Sequence, residues 1–485
     1  MTFASRTRTR ALVLGAALGA LLSMTTIPAQ AAEPGDTDAL TLIQENVGGG
    51  GVFTVTGESN PATDPQRVQQ AVTDAVLAGN GTVQLIGAFD FGDCSLCVVI
   101  PGPVTISGTG DPSVSEISSS PTTVITTTGS APMAVLDMGG PFGNITIERI
   151  WFKGAQTLAV LMLQVRGTFN FVHNRVSDVS PGNEFRFAVA GAAYGPVAPA
   201  DSAAITAAFT RLGTLDGPRL TGGVIFDSNY IDNNLPMQSG DDNGFAFAQC
   251  HLSRIQITNN VIRAGEAVDI EGCRGPGAVY IVARNRIVQT DVRSNLAILT
   301  NTPGFARHGG HPAAIKPLDS EAALVVVRDN QVDMRKAHRT AVCILTGNSN
   351  DESTTLIENN TCVMGGQFAA ILGGWAGTPN FFGPSYMQNA SIRNNRFVGR
   401  AHVGLGLMNF TYLKNADMTL INKGHDNVFY NNDVRAFRTS KAAIYLSALT
   451  RDNIVIDDLR GRVVNRGIQN SIDTRPYSRT DLERS

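Results

Sequence analysis

Acidic side chains gather in one stretch of the chain. Asp241 and Asp242 stand in Ser239-Gly-Asp-Asp-Asn-Gly, and Asp269, Glu271 and Arg274 follow in Ala264-Gly-Glu-Ala-Val-Asp-Ile-Glu-Gly-Cys-Arg274. If these stretches are equivalent strands on successive turns of a repeat, the carboxylates share one face. Glycosidic hydrolysis needs such a pair, one as acid and one as base. Crowding of like charges raises the proton affinity of at least one, which suits the acid. A hydrolase of this kind requires no cofactor. A lyase would use the same oxygens to hold Ca²⁺ over a substrate uronate, while Arg274, Arg307 or Lys316 abstracts the proton. His308 and His311, in Arg307-His-Gly-Gly-His311, are further acid/base candidates. Trp375, Phe381, Phe382 and Tyr386 fall in one insertion and would stack on sugar rings or cover a flank. Against these readings, outward carboxylates often only solvate a surface, and Asp-Asp-Asn-Gly is ordinary turn chemistry.

Whether those groups meet depends on what carries them. From residue 170 to 435 a short β-rich run repeatedly ends in a polar residue and Asn, followed by a second β-rich run. The recurring asparagines are Asn174, Asn229, Asn260, Asn285, Asn330, Asn360, Asn395 and Asn432, spaced 25 to 55 residues apart. A sharp corner between strands needs a left-handed backbone, which Asn tolerates better than any residue but Gly. Stacked Asn side chains can also hydrogen-bond from coil to coil. The shortest spacing suffices for a coil of three strands, with the excess inserted as loops at the corners.

The remaining strand of each coil is read in Gly244–Cys250, Ala267–Cys273, Leu296–Thr300, Ala341–Thr346, Ala369–Leu372, Gly404–Leu407 and Ala442–Leu446. Alternation sends Val268 and Ile270 inward and Asp269 and Glu271 outward. The same alignment puts Cys250 over Cys273 at a separation a disulfide can span. Cys94 and Cys97 would form a short-loop bridge, and Cys343 and Cys362 are either bridged or buried thiols. Asp64-Pro65 opens a helix carrying Val68, Ala71, Val72, Ala75 and Val76 at helical spacing, and Gly79-Asn80-Gly81 closes it. That helix would cap an open end which could otherwise pair edge to edge. The runs beginning at Thr82 and Pro103 read as first strands.

The capping helix, the Val104-Thr-Ile-Ser-Gly-Thr-Gly110 run and the Asn ladder together resemble the pectate-lyase-like superfamily over roughly residues 60 to 465. That resemblance implies an all-β fold, a single-stranded right-handed parallel β-helix, but no single chemistry. The acidic region is similar in layout to polygalacturonases, with Gly240-Asp241-Asp242 at the Asp pair of that family. However, Gly265-Glu266-Ala267 stands where Gly-His-Gly would be, and Ala297-Ile298-Leu299 where Arg-Ile-Lys would be. No specific enzyme family is identified.

Arg6, Arg8 and Arg10 precede an apolar run from Ala11 to Met24, and Ala29-Gln30-Ala31 is a small-x-small cleavage site. This is the pattern of an export signal over residues 1–31, leaving a β-helix domain at 32–470 and a flexible tail at 471–485. Without the leader's three arginines the formal charge moves from −3 to −6. That balance gives no electrostatic footprint for nucleic acid or for an anionic membrane surface. The expectation is a secreted, extracellular protein, periplasmic if the source has an outer membrane, with a polysaccharide as partner. It would cleave that polysaccharide by hydrolysis or β-elimination; the alternative is a surface protein that only binds glycans. The sequence does not speak to oligomeric state.

Overall fold

The computed structural model describes residues 50–94, 97–113, 122–129, 132–136, 143–155, 158–178, 186–191, 222–232, 242–248, 252–271, 273, 277–290, 313–318, 321–348, 352–374, 387–407, 424–447, 450–456 and 462–473. The chain coils as a right-handed parallel β-helix with three faces. The first face is a sheet of 14 strands, from Val52–Thr56 to Ser471–Asp473. The second and third faces are joined into one sheet because Thr361–Gly373, Arg396–Leu407 and Phe437–Leu446 run through the corner between them. Pairing is parallel throughout, each strand lying on its counterpart one coil earlier.

Between the faces lies one continuous core. Val224, Phe226, Ile255 and Ile257 enter it from the first face, Ile231 and Ile262 from the second, and Phe245, Val268 and Ile270 from the third. The inward alternation expected for Val268 and Ile270 is therefore present. Helix α1 (Asp64–Leu77) closes the N-terminal end, burying Val68, Ala71, Val72 and Ala75. Asp64 is fully buried at its start and accepts the backbone N–H groups of Glu58, Asn60 and Asp90 at 3.1, 3.0 and 2.9 Å. A strand not anticipated from the sequence, Val52–Thr56, precedes the helix and pairs with Thr82–Ile86. Among the described residues no helix is long and apolar enough to cross a membrane. The leader region lies outside the described residues.

The asparagines form the expected ladder at the corner between the first and second faces, with a different division of labour. The left-handed residue is the one before each ladder Asn: His173, Ser228, Asn259, Arg284, Asp329, Asn359, Asn394 and Asn431, with φ between 54 and 58°. The ladder Asn itself is buried and satisfies the corner. Asn285 shows the pattern: its Nδ2 donates to Ile257 O at 2.9 Å and to Asn330 Oδ1 at 3.0 Å. Its Oδ1 accepts Asn260 N at 3.0 Å and Asn260 Nδ2 at 2.9 Å. A second, shorter ladder of Asn427, Asn453 and Asn470 runs at the corner leading into the first face.

One expectation is corrected. The third-face strand following Glu266–Glu271 is Ala313–Leu318, not Leu296–Thr300, which lies outside the described residues. The last first-face strand, Ser471–Asp473, pairs with Ile454–Ile456. Cys343 and Cys362 are bridged between the third and second faces, as are Cys94 and Cys97 within their loop. Cys273 is disulfide-bonded; Cys250 lies outside the described residues.

Candidate functional site

Three charged side chains meet on the outer side of the third face. The parallel register of Glu266–Glu271 with Ala313–Leu318 makes Asp269 and Lys316 direct partners. Lys316 Nζ lies 3.2 Å from Asp269 Oδ2 and 3.0 Å from Glu266 Oε2. Glu266 Oε1 accepts the backbone N–H of Ala313 at 3.0 Å, tying the carboxylate to the start of the next strand. Two bonds to one nitrogen hold those two carboxylate oxygens close together.

The sequence sets this up locally. Val268, Ile270 and Ile315 are drawn into the core, so Asp269 and Lys316 between them must face out. The corner leading into Glu266 is braced by Gln289, whose Nε2 donates to Gly265 O at 2.5 Å, and by Thr290 N to Ala264 O at 2.9 Å. Beyond Lys316 the outer side of the face turns apolar. Ala313, Leu318, Val342, Leu345, Ala369, Leu372 and Val403 form a buried cluster of their own, with Phe368 and Tyr445 against it. The three charges are thus buried at the margin of an apolar shelf. The side chains of Glu266, Lys316 and Asp269 are 2, 8 and 12% exposed. Asp269 is the one that approaching solute reaches first.

Of the residues singled out from the sequence, Asp269 and Lys316 come together. Asp242 begins the strand Asp242–Ala248 and Glu271 ends Glu266–Glu271; these neighbouring strands of the third face pair Ala248 with Glu271 and Asn243 with Glu266. Asp241, Arg274, Arg307, His308, His311 and the aromatic insertion at 375–386 lie outside the described residues. Glu266 was missed as a site residue. It was read only as a mismatch to a Gly-His-Gly pattern, although it is the one Glu immediately after a corner glycine on the same strand as Asp269. Among the described residues no cluster of three His, Cys, Asp or Glu is placed to hold a metal ion; the two carboxylates converge on the ammonium of Lys316.

No family model matches the chain, and no curated protein matches it. Among solved structures it aligns with the alginate lyase of Paenibacillus sp. str. FPU-7, at 12% identity and a TM-score of 0.30, over 82% of this chain and 98% of that one. It also aligns with the A-module of the mannuronan C-5 epimerase AlgE6 of Azotobacter vinelandii, at 13% identity and a TM-score of 0.33, over 85% of this chain and 96% of that one. Neither alignment enters the assignment below, which rests on the chain's own residues.

Three further groups look reactive by composition and are held by structure. Burial, with a smaller contribution from the charge of Glu321, pushes the Tyr280 phenol well above its ordinary value. Its hydroxyl points to Leu252 O inside the core. Asp333 and Asp433 are held below the usual carboxylate range, chiefly by hydrogen bonds from Arg335 and Arg435 two residues on. Both pairs stand at exposed corners, where such ion pairs contribute little.

Proposed function

We propose that the protein is a secreted, polysaccharide-acting enzyme whose reaction centre is the Asp269–Lys316–Glu266 cluster. One observation supports this above the others: three charges are buried together on the outer side of the third face, at the margin of an apolar shelf. Removing charges from water costs several kcal/mol per ion, and hydrophobic residues of similar size would serve packing as well or better. Such a cluster therefore marks a candidate for chemistry.

The roles follow from accessibility and bonding. Asp269, the most accessible, is the group that exchanges a proton with the substrate. Glu266 is a positioning residue, holding Lys316 in place through one oxygen and the next strand through the other. Lys316 donates in both contacts, so it serves as a fixed cation beside charge that develops on the sugar. Asp242 and Glu271, whose backbones lie on the same pair of strands, are proposed as the source of the second carboxylate. In hydrolysis, one carboxyl gives its proton to the leaving glycosidic oxygen and the other takes one from the attacking water. In β-elimination, the base instead takes the proton next to the uronate carboxyl and the glycosidic oxygen leaves, with Ca²⁺ as an aid if the lyase route holds.

The test is a screen of the mature protein against acidic and neutral polysaccharides, with and without Ca²⁺. New reducing ends without absorbance near roughly 235 nm identify a hydrolase; absorbance there identifies the unsaturated product of a lyase, with metal dependence expected of oxygen-ligand sites. Binding without either signal would replace this reading with that of a glycan-binding protein.

A further inference from the structure

The outer side of the second face carries a row of residues that the third-face centre does not use. In register from coil to coil it runs Trp151, Arg175, Tyr230, then through Val261 to Arg286, and through Gln331 and Thr361 to Arg396. Each of these side chains is half-buried or exposed, and the row meets no acidic residue before Asp433, which lies beside Arg396 at its C-terminal end. Its arginines recur every third strand, so at about 4.8 Å per strand they stand roughly 14 Å apart.

The N-terminal end of the row is a built stack. The Arg175 guanidinium lies 4.7 Å from the centre of the Trp151 ring and 4.8 Å from that of Tyr230. Trp151 Nε1 donates to Ser177 Oγ at 2.8 Å, which fixes the indole. Neither Nε nor Nη1 of Arg175 has a hydrogen-bond partner, so the rings alone hold those parts of the group. Neither Arg175 nor Arg286 forms an ion pair among the described residues. Arg396 is 62% exposed, and its contact with Asp433, at 4.0 Å, is long because Arg435 already engages that carboxylate at 2.8 Å. Arg175 and Arg286 thus stand without an ion-pair partner among the described residues and Arg396 keeps only a long one, at even intervals beside half-buried rings, on a chain whose formal net charge is −3.

We propose that this row is a docking strip for an anionic polysaccharide lying along the helix axis, separate from the reaction centre on the third face. A uronate polymer presents carboxylates at regular intervals, each of which a guanidinium can engage with two parallel hydrogen bonds. Its sugar rings offer C–H faces to Trp151 and Tyr230. Nucleic acid fits less well, because its dense charge is repelled by a net-acidic chain and calls for a denser basic strip.

The test is binding of the full mature protein to polygalacturonate, to a neutral galactan and to an oligothymidylate, by affinity electrophoresis and calorimetry at low and physiological salt. Arg286 and Arg396 are exposed, so Arg286→Gln with Arg396→Gln leaves the fold in place. The double variant is expected to bind polygalacturonate at least about tenfold more weakly, as for loss of charge-assisted hydrogen bonds. Its weak binding of the galactan is expected to be unchanged. Wild-type affinity for polygalacturonate in the double variant overturns the proposal. So does binding of the galactan or the oligothymidylate as tightly as polygalacturonate. Asp269→Asn separates the two readings: the strip predicts unchanged binding of polygalacturonate by that variant, whatever its turnover.

Discussion

The Asn corner and the outer side of the third face are both polar and both buried, yet they are built on opposite principles. At the corner the ladder side chains are all neutral amides, and each hydrogen-bonds to the next coil, seven times over from Asn174 to Asn432. At the Asp269–Lys316–Glu266 cluster the groups are charged, and among the described residues the arrangement occurs at one level of the stack. Repetition is what a fold needs, since each coil must present the same edge to its neighbours. A single charged cluster next to an apolar shelf adds nothing to that repetition. The difference separates residues that hold the helix together from residues proposed to use it.

Breaking each region should therefore fail in its own way. The largest effect is expected at the charged cluster when the cation alone is lost. Lys316→Met leaves Glu266 and Asp269 buried side by side without their partner, and should cost roughly 3–5 kcal/mol by denaturant unfolding. Asn285→Ala comes next: it strips the answer from Asn260 N and Ile257 O within the ladder and should cost about 2–4 kcal/mol. Turnover per folded molecule should be unchanged in that variant, because the corner only carries the strands.

A smaller effect separates burial from function within the core. Tyr280 is neutral when folded and its phenol ionises more readily once exposed, so its folded-state value is raised above the ordinary 10.0. Its contribution to stability is fully present below that pH and is lost as pH rises above it. Tyr280→Phe removes the ionisation, so the variant should keep its stability further into alkali than the parent in a pH series of melting curves. An unchanged alkaline limb would mean that another group controls it.

Much of the frame was legible in the sequence because it is periodic. The Asn spacing, the helix beginning at Asp64-Pro65 and the inward alternation of Val268 and Ile270 all express a repeat that every coil enforces. The left-handed position was misassigned by one residue, because the two residues of each Asx-like corner look alike until burial separates them: Asn259 and Asn260 are both Asn, but only Asn260 is buried. Corners without a turn signal were invisible. At Gly399 the chain passes with φ 92°, and a Cβ would stand 2.0 Å from Met364 O, so a glycine substitutes for the expected break. The site was half legible. Asp269 and Lys316 were named, but their pairing depended on knowing that Ala313–Leu318, past a long insertion, is the next strand of the face. Glu266 escaped because strand register, not residue type, brings it to Lys316.

The third-face cluster is proposed to act while the corner only supports. The direct measurement is cleavage of the best substrate from the polysaccharide screen by Asp269→Asn beside the parent, with both melting curves recorded. Asp269→Asn is expected to keep a melting temperature close to the parent's and to lose at least about 100-fold in kcat, the size expected when a general acid or base is removed. Parental kcat in a folded Asp269→Asn protein would contradict it.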